Sequence, residues 1–154
     1  ILIGKNAHPL SLADSTQKNW LKLYDLKGDY TVLVFWDPDC GHCKKEMPLL
    51  KTYYDSLRAA GVAVEVYAIR SDMDSVNWKA YIKEHKLTWI NVAARDAQEL
   101  ATAKYYYDVY STPTLYVVDE KKVIFGKRLD ISGLQSVLNR KIEQDKKTGV
   151  KKPN

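Results

Sequence analysis

The sequence predicts an α/β domain built on a mixed β-sheet with helices on both faces. Strand-like and helix-like segments alternate through most of the chain. The run Thr31-Val32-Leu33-Val34-Phe35-Trp36 is continuously apolar, β-branched or aromatic, as in a strand buried on both faces. The chain then closes with a hairpin and a helix, which adds antiparallel strands to a parallel core.

Each element has a local reason. Pro9–Ala13 alternates apolar with small or polar residues, as a short edge strand does. Trp20–Tyr24 is expected to form a helical turn or two, and Lys27-Gly28-Asp29 a turn. After the strand at 31–36, Asp37-Pro38-Asp39 breaks the chain and a helix is expected from Cys40 to Ala59. Its apolar positions Cys43, Met47, Leu50, Tyr54 and Leu57 recur every three or four residues, one stripe of an amphipathic helix. Pro48 inside that helix is expected to kink it.

Gly61 ends the helix, and Val62–Ile69 reads as a second buried strand. Ser75–His85 follows as a helix, Trp89–Val92 as a short strand and Ala97–Tyr106 as a helix. Leu115–Val118 and Val123–Phe125 flank the polar turn Asp119-Glu120-Lys121-Lys122, a hairpin pattern. A last helix is expected over Ser132–Gln144, with Leu134, Val137, Leu138 and Ile142 on one side. Residues 1–144 thus read as one domain, and 145–154 as a basic, flexible tail.

Composition narrows the function classes. The chain has 154 residues, is 45% hydrophobic and carries 11 Tyr and 4 Trp, so it can fill a core and is not of a disordered type. No apolar run is long enough to span a bilayer. The net charge is +5, and Lys146, Lys147, Lys151 and Lys152 supply much of it. That end lacks the arginines and stacking aromatics of a nucleic-acid arm, so no nucleic-acid partner is expected. No charged segment leads into an apolar stretch at Ile1, so no signal peptide is expected within these residues, and the non-Met start suggests processing.

The only two cysteines form the motif Cys40-Gly41-His42-Cys43. A staple closing so short a loop stabilises by only about 2 kcal/mol. A structural zinc site wants four ligands, and His8, His42 and His85 do not make a spaced pair, so no metal is expected. Redox chemistry remains. Cys40 stands where a strand hands over to a helix, and the unpaired N–H groups of a helix start stabilise an anion such as a thiolate. The thiolate is the species that attacks a disulfide. Cys43 lies on the apolar stripe and is expected to be the buried, resolving thiol. His42 is placed to stabilise the Cys40 thiolate. Glu46, one turn beyond Cys43, is either a proton acceptor for Cys43 or a solvated glutamate pairing with a lysine.

Together Trp36, Cys40, Cys43, Glu46 and Pro48, with Thr112-Pro113-Thr114 some 70 residues later, resemble the TlpA/ResA-type thiol–disulfide oxidoreductases of the thioredoxin superfamily. Ile3–Ala7 is similar to the family's N-terminal entry, and Tyr107–Thr114 to its approach to a cis-proline loop. The resemblance implies a thioredoxin-like fold with an N-terminal strand extension and a helix–strand insertion, here Ser75–Val92, before that loop. It implies a cis peptide before Pro113 and substrate contacts from Thr112, Pro113, Trp36 and Gly41. It implies no cofactor beyond a Cys40–Cys43 disulfide. It also implies protein thiols and disulfides as partners, an upstream redox partner, and an extracytoplasmic place in the bacterial envelope, with tethering through a segment outside these residues.

Departures from the superfamily pattern matter. Val34 stands where thioredoxin carries a buried Asp, which would leave Glu46 as the proton acceptor. Asp39 precedes Cys40 where thioredoxin has Trp. Gly41-His42 matches protein disulfide isomerase, so reductase, isomerase and oxidase all remain open. Two other readings are a non-catalytic binding module using Tyr105, Tyr106, Tyr107 and Tyr110, and a peroxidase, which would want Thr where Asp37 stands.

Overall fold

The computed structural model describes residues 2–149. Strand β1 (Ser11–Ala13) pairs antiparallel with β2 (Trp20–Lys22), with Leu12 opposite Leu21. The turn between them is tied by Asp14, whose carboxylate accepts from Thr16 and from the Asn19 side chain. Trp20–Lys22 is therefore a strand, not the expected helix. Only Leu23–Asp25 winds into a single 3-10 turn. Pairing with β1 satisfies backbone groups that so short an isolated helix would leave open.

Five strands make the main sheet, in the order β5-β4-β3-β6-β7. They are β3 (Tyr30–Trp36), β4 (Val64–Arg70), β5 (Ile90–Val92), β6 (Thr114–Asp119) and β7 (Ile124–Leu129). The pairs β3–β4 and β4–β5 are parallel, while β3–β6 and β6–β7 are antiparallel. The expected mixed sheet is present. Every residue of β3 is buried, which its unbroken apolar run requires of a central strand.

Side chains alternate across a strand, so β3 feeds two cores. Val32, Val34 and Trp36 pack with Cys43, Met47 and Leu50 of α1 (Gly41–Ala59), Trp78 of α2 (Ser75–Glu84), and Leu134, Leu138 and Ile142 of α4 (Ile131–Thr148). Leu33 and Phe35 pack on the other side with Tyr67, Tyr107, Tyr116, the N-terminal Leu10, Leu12 and Leu23, and Ala103 of α3 (Ala97–Tyr106). Pro48 lies inside α1 without ending it. The expected insertion is α2 with β5, which extends the sheet beyond β4.

The domain does not stop at 144. Helix α4 continues to Thr148, and Asp145 is buried with its carboxylate accepting from Tyr30 Oη at 2.6 Å and Lys141 Nζ at 3.1 Å. Residues 145–148 belong to the folded helix rather than to a tail. The rest of the expected tail, 150–154, lies outside the described residues. Among the described residues, no helix is long and apolar enough to cross a membrane.

Candidate active site

The site forms at the C-terminal end of β3. Beyond Trp36 the chain turns on Asp37, whose Oδ1 accepts from Asp39 N at 3.0 Å and whose carbonyl accepts from Cys40 N at 3.3 Å. That turn delivers Cys40 to the N-cap of α1 in an extended conformation. A sulfur takes the place usually held by a capping oxygen: Cys40 Sγ accepts from Cys43 N at 3.1 Å. The same Sγ donates to the Thr112 carbonyl at 3.2 Å. Thr112–Pro113 is a cis peptide. The start of α1 and the loop before β6 therefore meet at one half-buried sulfur.

Cys43 is different in kind. It is 1% exposed, on the inner face of the first turn of α1. Burial, followed by the hydrogen bond its thiol makes to Cys40, raises its pKa far above the ordinary thiol range. Both sulfurs are unbridged thiols. One thiol is reachable and the other is held neutral behind it.

The remaining expected residues divide. Gly41 and His42 are exposed on the first turn of α1, and a Cβ at Gly41 would meet no atom within 4 Å. Glu46 is half-buried, and its Oε1 accepts from Ile131 N at 3.0 Å, at the start of α4. This partner was legible in neither half of the sequence reading, which placed the carboxylate near Cys43 or near a lysine. Thr112 and Pro113 are half-buried and border a cleft with His42, Lys45, Glu46 and Leu49.

Trp36 is corrected. It is 0% exposed, stacked obliquely against Tyr81 of α2 at 5.2 Å between centroids, and cannot touch a docking substrate. It forms the floor beneath the cysteines. Of the four tyrosines considered as a partner groove, Tyr107 is core, while Tyr105, Tyr106 and Tyr110 are exposed.

Of the neighbours of the site, Asp37 and Asp39 were evident beside Cys40, while Asp72 and Arg70 were missed. The carboxylates of Asp37, Asp39 and Asp72 lie within 4.8 Å of one another beside Cys40. Asp72 follows β4, whose last residue Arg70 sits in register with Trp36. Parallel neighbours end at the same edge of a sheet, so the segment after β4 had to arrive beside Cys40. That signal was available. Arg70 is buried beneath, donating from Nε to Asp72 O at 2.8 Å, with its guanidinium 5.0 Å from the Trp78 ring. Burial raises the Asp72 pKa.

A sequence model of the AhpC/TSA family matches residues 3–126. The chain is 30% identical over 125 residues to "Thiol-disulfide oxidoreductase ResA" of Bacillus cereus, spanning 81% of this chain and 68% of that protein. It is 30% identical over 122 residues to ResA of Bacillus subtilis, spanning 79% of this chain and 64% of that protein. Among solved structures, a domain of a "possible thiol-disulfide isomerase" from Cytophaga hutchinsonii superposes with a TM-score of 0.81 and 36% identity, over 96% of this chain and 97% of that one. The thioredoxin domain of a thiol-disulfide oxidoreductase from Bacteroides vulgatus gives a TM-score of 0.80 at 25% identity, over 92% of this chain and 99% of that one. By its sheet, its paired cysteines and these relatives, the chain belongs to the AhpC/TSA family within the thioredoxin superfamily, on the ResA-type thiol–disulfide oxidoreductase branch.

Proposed function

We propose that the Cys40–Cys43 pair exchanges a dithiol for a disulfide with protein substrates, working as a reductase in the bacterial cell envelope. The observation that carries this reading is the division of the two sulfurs: Cys40 half-buried on the N-cap with an N–H donor at 3.1 Å, Cys43 closed off one turn behind it. Cys40, as thiolate, attacks one sulfur of a substrate disulfide and expels the other as a thiolate, which takes up a proton. The Cys43 thiol then loses its proton and attacks Cys40 Sγ, releasing the second substrate thiol. Two electrons pass to the substrate, and a Cys40–Cys43 disulfide remains. An upstream dithiol partner returns the enzyme to its reduced form.

The hydrogen bond from Cys43 N fixes the attacking sulfur of Cys40 at the start of α1. The high proton affinity of Cys43 serves order: it stays neutral until Cys40 is engaged. Thr112 presents its backbone beside Cys40, where an extended substrate segment would lie, with Pro113 packed at the same end of the cleft. Glu46 is proposed as the acceptor of the Cys43 proton, in competition with a purely structural role at Ile131 N. Envelope residence is supported by the kinship with ResA proteins and is tested by fractionation of the native host.

The test is insulin-disulfide reduction driven by dithiothreitol. Cys40→Ser is expected to abolish turnover, and Cys43→Ser to trap mixed disulfides that dithiothreitol releases. Unchanged turnover in Cys40→Ser would overturn the reading. A second direction, isomerase or oxidase, is favoured by the exposed Gly41-His42 pair. A reduction potential near ~−270 mV supports a reductase, and one at ~−180 mV or above supports the second direction.

A further inference from the structure

The surface between Cys40 and the edge of the sheet is a trough. One cleft of about 460 Å³ lies between the first turns of α1 and the 111–113 loop. A second, of about 370 Å³, lies between that loop and Arg128–Asp130 at the end of β7. Both are bordered by Ser111, Pro113 and Asp130, so they form one continuous path leading away from the nucleophile.

The path carries two carboxylates and two permanent cations, equal in number but differently engaged. Its two carboxylates are both engaged at the start of α4, Glu46 with Ile131 N at 3.0 Å and Asp130 with Gly133 N at 2.7 Å, where a helix end is electropositive. Its two fixed cations, Lys45 and Arg128, make no ion pair among the described residues. Arg128 is nevertheless held in place. Its guanidinium lies 5.5 Å from the centre of the Tyr110 ring, which is 80% exposed, and its backbone has φ of +52°, a region that favours glycine. Leu49, 50% exposed, adds an apolar wall. Beside Cys40 the sign reverses, with Asp37, Asp39 and Asp72 clustered together.

We propose that this trough is a specificity site for acidic peptide segments, selecting disulfide substrates that carry Asp or Glu next to the reacting cysteine. Lys45 and Arg128 receive the carboxylates, and Leu49 contacts the neighbouring aliphatic stem. The carboxylate cluster beside Cys40 repels the same segment, so an acidic flank is directed along the trough. The inference rests on the thiol–disulfide reading of Cys40. Each exposed charge pair contributes only a few-fold, and salt screens it.

Three synthetic peptides, each closed by one intramolecular disulfide and flanked by Glu-Glu, Ser-Ser or Lys-Lys, separate the two claims. Turnover of the Ser-Ser peptide by the wild-type enzyme tests the exchange reading alone. The ratio of kcat/KM for the Glu-Glu over the Lys-Lys peptide tests the trough. At low salt the wild-type ratio is expected to be about ten, falling toward one at 0.5 M salt. Lys45→Glu with Arg128→Glu is expected to bring the ratio below one. Lys45→Gln alone, on an exposed helix surface, is expected to cut it about threefold without disturbing the strained Arg128 backbone. A wild-type ratio of one or less at low salt, or one unmoved by Lys45→Gln and by the double variant, overturns the inference even where the Ser-Ser peptide is reduced.

Discussion

The two faces of the central sheet are filled with aromatic residues of similar bulk but are held by different interactions. On the face away from α1, the hydroxyls of Tyr24, Tyr67, Tyr107 and Tyr116 donate to the carbonyls of Ala7, Leu21, His8 and Tyr107. Two of those bonds, from Tyr67 to Leu21 and from Tyr107 to His8, fasten the N-terminal segment to the rest of the fold across long sequence separations. Beneath the cysteines, the indole N–H groups of Trp36 and Trp78 are buried with no hydrogen-bond partner among the described residues. On the α1 face, directional bonds lie away from the cysteines, at Tyr30–Asp145 and Trp89–Asn91, while shape and burial alone hold the two indoles directly beneath them. Polar groups left unpaired next to an active site are a recognised concession of stability.

The sharpest way to break this contrast is to remove one bond from the far face. Tyr107→Phe deletes the donor to His8 O, a 2.5 Å bond, and is expected to cost about 1–3 kcal/mol in urea unfolding. A cost below the error of the measurement would mean that the tyrosine bonds do not specify that face. The next largest effect is a pH dependence on the site face. The buried Cys43 thiol holds its proton above the ordinary value of 9.0, so the unfolded chain ionises first as pH rises. Stability of the dithiol form is expected to fall above pH 9 by up to about 1.4 kcal/mol per unit, relative to Cys43→Ser. The buried tyrosines add their own losses only above about pH 10. Identical profiles for the two proteins between pH 9 and 10 would count against a neutral, buried Cys43.

Glu46 sits between the two regimes and sharpens the comparison. Glu46→Ala leaves Ile131 N without its acceptor and is expected to cost about 1 kcal/mol in thermal unfolding. Glu46→Gln keeps an acceptor oxygen and is expected to be nearly neutral for stability. If Glu46→Gln still slows release of the mixed disulfide in stopped flow, the carboxylate handles the Cys43 proton; an unaltered rate leaves it with the helix alone. The smallest expected effect is at Trp36. Replacing its indole N–H by sulfur, with 3-benzothienylalanine, removes no hydrogen bond and is expected to change stability by less than about 0.5 kcal/mol.

Local chemistry made much of this molecule legible in advance. The β3 run, the α1 stripe and the α3 boundaries were each fixed by periodicity within one segment, and the structure places them at 30–36, 41–59 and 97–106. What escaped depended on distant partners. Trp20–Lys22 became a strand because β1 offers it a ladder, a contact that no window of Trp-Leu-Lys-Leu-Tyr contains. The end of α4 was missed because Asp145, a polar residue that reads as surface, is paired with Tyr30, 115 positions away. Within the site, the positions of Cys40 and Cys43 followed from strand-to-helix geometry. The fate of Trp36 did not, because a tryptophan beside a nucleophile reads the same whether it lines the rim or the floor. Asp72 and Arg128 reach the site through tertiary folding from separate strands.

The sulfur of Cys40 spends its single hydrogen on the Thr112 carbonyl while receiving one from Cys43 N. Those two bonds respond oppositely to ionisation. Once the proton leaves, the first bond has nothing to donate and the second grows stronger. On the proposed exchange reading, ionising Cys40 for attack also frees one lone pair of the Thr112 carbonyl, so the event that readies the sulfur also gives an arriving strand a better acceptor.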